Sequence, residues 1–296
     1  MHQQFIIGLQ GLVLSAQEIN WLKQQPPLGI ILFGRNVDSP AQVKALLAEV
    51  RQHSGQATWA AIDEEGGRVN RMPWSPFNQR RHAAEYGVMY QRNAGTATQA
   101  VYQDSFCIAE ALHELGFTHN CAPVLDVFHP AGHGIIGQRS YGSDISQITA
   151  LATACLRGLH DGGIEAVGKH FPGHGRANSD SHVSLPEIDT PLTTILDEAE
   201  PFASLIAEGL KHVMTAHVSY TATVPEVATV SPFWVRHVLR DRINFFGHIW
   251  SDDLCMKGVG ANVPAAAQAA LQAGCDALLI CEPDGVREIY EHLSPA

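Results

Sequence analysis

The side chains with the greatest capacity for chemistry fall in two short segments. Lys169-His170-Phe171-Pro172-Gly173-His174-Gly175 is followed closely by Asp180-Ser181-His182. Pro and Gly make the first stretch rich in turns. A carboxylate two residues before an imidazole can accept from one ring nitrogen and support the imidazolium, which leaves the other nitrogen to exchange protons with a ligand. The same spacing also suits an Asx-turn beside a surface histidine. The second segment is Trp250-Ser251-Asp252-Asp253-Leu254. A carboxylate there could attack an electrophilic carbon, or the pair could simply cap the next turn. Side chains alternate along a strand, so only one of the two can face a central mouth, and periodicity does not say which.

Two further segments carry charge. Asp63-Glu64-Glu65-Gly66-Gly67-Arg68-Val69-Asn70-Arg71 mixes acids with arginines around paired glycines, which permit a sharp turn. Gly137-Gln138-Arg139-Ser140-Tyr141-Gly142 adds another arginine. Such groups can grip a hydroxyl-rich ligand, and they can equally satisfy one another as an ion-pair network. The chain holds 16 histidines, among them His170, His174, His182 and His217, which raises a metallohydrolase as an alternative. No H-x-H or H-E-x-x-H pair occurs, and a metal site needs several convergent ligands. Neither a metal nor another cofactor is therefore expected.

These segments must be held by regular elements. Apolar runs recur at Phe5 to Leu9, Gly29 to Phe33, Thr58 to Ile62, Thr118 to Cys121, Ile164 to Gly168, His212 to Thr215, Gly247 to Trp250 and Ala277 to Cys281. They read as continuous, not alternating, as strands do when both faces are covered. Helix signals lie between them. Ser39-Pro40 suits an N-cap and first helical residue before the Val43, Leu46, Leu47, Val50 stripe, and Thr96 to Leu115, Ile145 to His160, Thr193 to Leu210, Pro232 to Arg240 and Pro264 to Ala273 look similar. Eight repeats of strand and helix predict an α/β fold, a single (β/α)8 barrel domain over residues 1–296. Its insertions fall at Met72 to Gly95 and at Phe171 to Asp189. In this fold the polar strand ends, Asp63, Asp126, Lys169, His170, His217, Asp252 and Asp253, share one face with the loops that build a site.

Composition narrows the partners. The net charge is -11, from 30 acidic against 19 basic residues, and no Lys/Arg stripe offers phosphate neutralisation, so nucleic-acid binding is disfavoured. The six cysteines show no close C-x-x-C spacing and read as reduced thiols. No basic n-region opens the chain and no apolar run reaches about 18 residues. A soluble cytoplasmic monomer without membrane contact is expected.

In their order and spacing these motifs resemble glycoside hydrolase family 3 β-N-acetylglucosaminidases, the bacterial cytoplasmic enzymes of peptidoglycan recycling. The likeness runs from about Phe5 to Cys281 and includes Gly29-Ile30-Ile31-Leu32-Phe33-Gly34-Arg35-Asn36, Asp63 to Arg71, Asn120 to Val127, Lys169 to Gly175, Asp180-Ser181-His182 and Ser251-Asp252-Asp253-Leu254. The resemblance implies Asp252 as nucleophile and His182, supported by Asp180, as acid/base. It implies that Asp63, Arg71, Arg139, Lys169 and His170 hold the sugar, with Asp126 supporting the rim. The implied substrate is a small carbohydrate, the N-acetylglucosaminyl-anhydromuramyl peptides, cleaved with retention of configuration. Two departures stand out: the chain stops soon after the eighth strand where relatives continue into a helical segment, and Glu64 stands where relatives often carry His. A histidine acid/base also leaves a phosphorylase open, and the short C-terminus a non-catalytic carbohydrate-binding protein.

Overall fold

The computed structural model describes residues 4–181, 184–260 and 262–293. Its strands are β1 (Phe5–Gly8), β2 (Gly29–Leu32), β3 (Trp59–Ile62), β4 (His119–Asn120), β5 (Glu165–Phe171), β6 (His212–Thr215), β7 (His248–Trp250) and β8 (Leu278–Ile280). They form one parallel sheet in the order β7-β6-β5-β4-β3-β2-β1-β8. The ring closes where Trp250 bridges Ala277, with Ser251 N–H donating to Ala277 O at 2.8 Å and Leu254 N–H to Leu279 O at 2.9 Å. This is the (β/α)8 barrel that the eight apolar runs predict.

Strand alternation sorts each run into two cores. Ile6, Ile31, Ala61, Val167, Met214, Trp250 and Leu279 pack together inside the barrel. Their neighbours Phe5, Ile7, Ile30, Leu32, Ile62, Val213, Ile249, Leu278 and Ile280 join the layer shared with the helices. Both faces are dry, so neither can carry a polar alternation. Helix Pro40–Ser54 starts where the sequence predicts: Ser39 Oγ accepts from Gln42 N–H at 3.3 Å, and Val43, Leu46, Leu47 and Val50 are buried. Asp144 caps Ile145–Asp161 in the same way.

One expectation changes and two features are added. The single helix read over Thr193 to Leu210 is two, Leu192–Glu198 and Glu200–Ala207, because Pro201 lacks the N–H that a continuous helix needs there. The Met72 to Gly95 insertion contains a helix, Ala83–Arg92. A small sheet of Glu187–Ile188, Ser219–Tyr220 and Val224–Val227 stands beside the barrel mouth. The cysteines are unpaired, and no helix among the described residues is long and apolar enough to cross a membrane.

The end of the barrel away from the strand C-termini is plugged by aromatic rings. Trp59 and Trp250 stack at 5.7 Å, His119 lies 4.6 Å from both Trp59 and His212, and His212 stacks on His248 at 5.1 Å. Trp250 Nε1–H donates to His212 Nδ1 at 3.1 Å, while His119 Nε2 is buried without a hydrogen-bond partner. Burial pushes His119 down to about 4 and His212 to about 3. Both rings are therefore neutral in the fold, whereas in the unfolded chain they take up protons near the ordinary value of about 6.5. Stability is fully present above that pH and falls as pH drops towards 4, by about 1.4 kcal/mol per unit of lowering. Thermal unfolding at stepped pH should show the melting temperature falling across this window. His119→Phe keeps a ring, removes the titration and should make the fall shallower; an unchanged slope would contradict the assignment.

Candidate active site

Above this plug, at the C-terminal ends of the strands, opens a cavity of about 450 Å³. Its floor is apolar, made by Ile31, Met214 and Leu279 from the interior core, and Phe33 stands in its wall. Charged groups are set directly on this floor. They must be paired, because an isolated charge over a dry barrel is costly.

Lys169, 2% exposed at the end of β5, supplies the centre of that pairing. Its Nζ lies 2.6 Å from Asp63 Oδ1 and 2.6 Å from Glu65 Oε1. Glu65 also takes both prongs of Arg139, Nε at 2.7 Å and Nη2 at 2.8 Å. Arg71 Nη2 approaches Asp63 Oδ2 at 3.5 Å. Burial alone would raise the carboxyl pKa values. For Asp63 it is outweighed by Lys169 and Arg71, and for Glu65 by Arg139 and Lys169, so both stay below the usual range. Burial likewise works against the Lys169 charge, and Asp63 and Glu65 overcome it. Glu64 points the other way and is fully buried: its Oε2 accepts from Arg71 N–H at 2.9 Å, and burial raises it to about 7. Gly66 and Gly67, at φ 94° and 56°, make the turn between these acids and Arg71.

Asp126, fully buried after β4, organises the next wall. Its Oδ2 accepts from His170 Nδ1 at 2.7 Å, and its Oδ1 from His174 N–H at 2.6 Å. His170 Nε2 then faces Arg139 Nη2 at 3.4 Å, which joins this wall to the Lys169 network. The Phe171 to Asp189 loop is fastened along its first half. Tyr220 OH donates to Gly173 O at 2.6 Å, His133 N–H to Ala177 O at 2.7 Å and Gly258 N–H to Ser181 O at 3.3 Å. Gly175 runs so close to β4's following loop that a Cβ would lie 1.7 Å from Val127 O.

Asp252 and Asp253 both reach the cavity, but they are used differently. Asp253 Oδ1 accepts two backbone N–H groups, Cys255 at 3.0 Å and Cys281 at 2.9 Å. Among the described residues Asp252 Oδ1 accepts one hydrogen bond, from the Asp253 N–H at 2.8 Å. Burial would raise the Asp252 pKa; the His217 and His170 rings, the Asp253 amide and Lys169 outweigh it, so the carboxylate is ionised.

The structure thus brings Asp63, Arg71, Arg139, Lys169, His170 and Asp252 to one cavity. Asp180 lies in the loop immediately before Ser181, which lines that cavity, and His182 lies outside the described residues. His217 holds Asp253 O at 2.9 Å and Thr229 Oγ1 at 2.7 Å. Among the described residues no three His, Cys, Asp or Glu side chains are placed to hold a metal ion. Sequence reasoning missed Glu65, although its spacing of two from Asp63 puts both on one face of an extended segment. The apolar floor was legible in the same way, since Ile31, Met214 and Leu279 are inward positions near strand ends.

Residues 7–295 match the model of the Glycosyl hydrolase family 3 N terminal domain. The chain is 37% identical over 287 residues to a β-hexosaminidase of Xylella fastidiosa, covering 96% of this chain and 84% of that protein. A β-hexosaminidase of Glaesserella parasuis is 37% identical over 293 residues, covering 97% and 84%. Among solved structures, NagZ from Neisseria gonorrhoeae in complex with N-trifluoroacetyl-D-glucosamine superposes with a TM-score of 0.92 at 33% identity, over 100% of this chain and 86% of that one.

Glu65→Ala would leave Lys169 and Arg139 buried without their shared carboxylate. Breaking such a pair costs roughly 3–5 kcal/mol, and a melting-temperature measurement should show a loss of that order. A change within about 0.5 kcal/mol, the range of an ordinary surface substitution, would show that the network does not organise the barrel mouth.

Proposed function

Since the chain belongs to glycosyl hydrolase family 3, whose N terminal domain model matches its residues 7–295, and is a glycoside hydrolase of the β-hexosaminidase kind, we propose how and on what it acts. The reading is a retaining exo-β-N-acetylglucosaminidase, a single catalytic domain over residues 1–296 that removes terminal β-linked N-acetylglucosamine from N-acetylglucosaminyl-anhydromuramyl peptides. Asp252 is the nucleophile, His182 the acid/base and Asp180 its support. Asp63, Arg71, Arg139, Lys169 and His170 hold the sugar.

The observation that carries this reading is the division of labour at the end of β7. Asp253 is committed to two backbone amides, while Asp252 is ionised and accepts one amide at the cavity wall. A second lone-pair-rich oxygen is left to attack an anomeric carbon, and an oxocarbenium-like transition state draws further stabilisation from the nearby carboxylate. Asp63 and Glu65 keep their negative charge and fix Lys169 and Arg139, so hydroxyl groups entering the cavity meet oriented donors and acceptors instead of free cations. That neutralisation favours water over an anionic phosphate as the second substrate. In the first step protonated His182 gives its proton to the leaving oxygen while the Asp252–carbon bond forms. In the second, neutral His182 takes a proton from water, which displaces Asp252 and restores both groups.

Turnover of a chromogenic β-N-acetylglucosaminide tests this. The product should be free N-acetylglucosamine at the same rate with or without phosphate, and activity should survive chelation. Accumulation of a sugar 1-phosphate would make the chain a phosphorylase, and a chelator loss restored by zinc would make it a metallohydrolase. The same assay should show Asp180→Ala with His182→Ala little worse than His182→Ala alone, because residues acting as one unit do not add. Independent, multiplying losses would remove Asp180 from the mechanism.

A further inference from the structure

We infer that His217 is a positioning residue for Asp252: fed by Thr215 and Thr229, its imidazole holds the Asp253 carbonyl and so keeps the Asp253 amide aimed at the Asp252 carboxylate. This rests on the reading of Asp252 as nucleophile.

Donor counting gives the chain its direction. Asp253 O can only accept, so the His217 nitrogen 2.9 Å away, Nε2, carries a hydrogen. His217 is fully buried and burial lowers its pKa, so the ring is neutral and Nδ1 is an acceptor. Thr229 Oγ1, at 2.7 Å, donates to it. Having given its single proton to the ring, Thr229 accepts from Thr215 Oγ1 at 2.8 Å. The shortest contacts are thereby satisfied in one sense, Thr215 to Thr229 to His217 to Asp253. The competing outlets for the hydroxyls, Ala216 O at 3.1 Å and Trp250 O at 3.2 Å, are longer.

The receiving end of this chain, Asp253, donates its backbone N–H to the Asp252 carboxylate. Asp253 is pinned through its side chain to Cys255 and Cys281 and through its carbonyl to His217, so its N–H has no freedom to turn from Asp252 Oδ1. The His217 ring, with His170, the Asp253 amide and Lys169, also helps hold the Asp252 carboxylate below its usual range. Gly258 fits between His217 and Ser181, where a Cβ would lie 3.3 Å from His217 Cβ and 3.4 Å from Ser181 O. The His217 Cβ therefore lies against Gly258, whose N–H donates to Ser181 O at 3.3 Å in the loop that carries Asp180. Among the described residues His217 has no hydrogen bond to the Asp252 carboxylate, so its positioning effect runs through Asp253.

The test follows the rate at which a slow-turnover fluorinated N-acetylglucosamine analogue labels the protein, read by mass spectrometry with peptide mapping, alongside kcat and KM. The wild type should carry the adduct on Asp252. His217→Phe should slow labelling and kcat by about a hundredfold, the scale of a small misplacement of a reacting group, with KM little changed. His217→Gln, whose amide nitrogen can take the place of Nε2–H, should recover most of that loss. Thr229→Val keeps the shape, removes the donor to Nδ1 together with the acceptor of the Thr215 hydroxyl, and should cost roughly tenfold, so the idea stays testable if His217→Phe does not fold. Labelling of Asp252 at the wild-type rate in Thr229→Val or His217→Phe would overturn the role of His217 and leave the nucleophile in place. So would a His217→Gln protein no faster than His217→Phe. An adduct on another residue of the wild type would overturn the nucleophile reading and this inference with it.

Discussion

A buried ammonium held by two carboxylates is the constraint on which the mouth of this barrel depends. Lys169 stands at the end of β5 over a floor of Ile31, Met214 and Leu279, with 2.6 Å contacts to Asp63 and Glu65. Removing one partner from such a group would leave a charge in a dry setting, so the ends of β3 and β5 cannot move independently. Glu65 passes the constraint on to Arg139, Arg139 to His170, and His170 to Asp126. The groups proposed to hold the sugar are thus oriented before any ligand arrives, which lowers the ordering cost of binding and of reaching the transition state.

The opposite wall uses backbone amides where this one uses charges. Asp253 ties the end of β7 to the residue after β8 through the Cys281 amide and to the next turn through Cys255. One carboxylate of an adjacent pair is consumed in making the other available. That arrangement leaves Asp252, the proposed nucleophile, ionised and with one hydrogen bond to its carboxylate among the described residues. The loop from Phe171 to Asp189 must approach this centre, and Gly175 against Val127 O, together with the Tyr220 hydroxyl on Gly173 O, sets how it leaves β5.

Much of this architecture was legible in the sequence because double burial leaves an uninterrupted apolar signature. Phe5 to Leu9 and Ala277 to Cys281 read as strands for that reason, and they pair through Phe5 and Leu278. Helix Pro40–Ser54 was legible through its Ser-Pro start and its spacing. The division at Pro201 was visible as a residue but hidden in an otherwise helical pattern. Strands of two residues, Glu187–Ile188 and Ser219–Tyr220, are too short to show a period, and their pairing depends on where the barrel places them. Motif resemblance brought out Asp63, Arg71, Arg139, Lys169, His170 and Asp252. Alternation alone could not rank Asp252 over Asp253, because the deciding Cys281 amide comes from a distant strand. Glu65 was passed over for a similar reason: its partners Lys169 and Arg139 are far away in the chain.

The central claim is that the Asp252 carboxylate attacks the anomeric carbon on the face opposite the leaving group and that water then displaces it from the face the leaving group occupied. Proton NMR of the first-formed sugar, recorded before mutarotation, tests it most directly. Double displacement gives the β-anomer of N-acetylglucosamine from a β-linked substrate. Initial appearance of the α-anomer would mean a single displacement by water and would contradict the account.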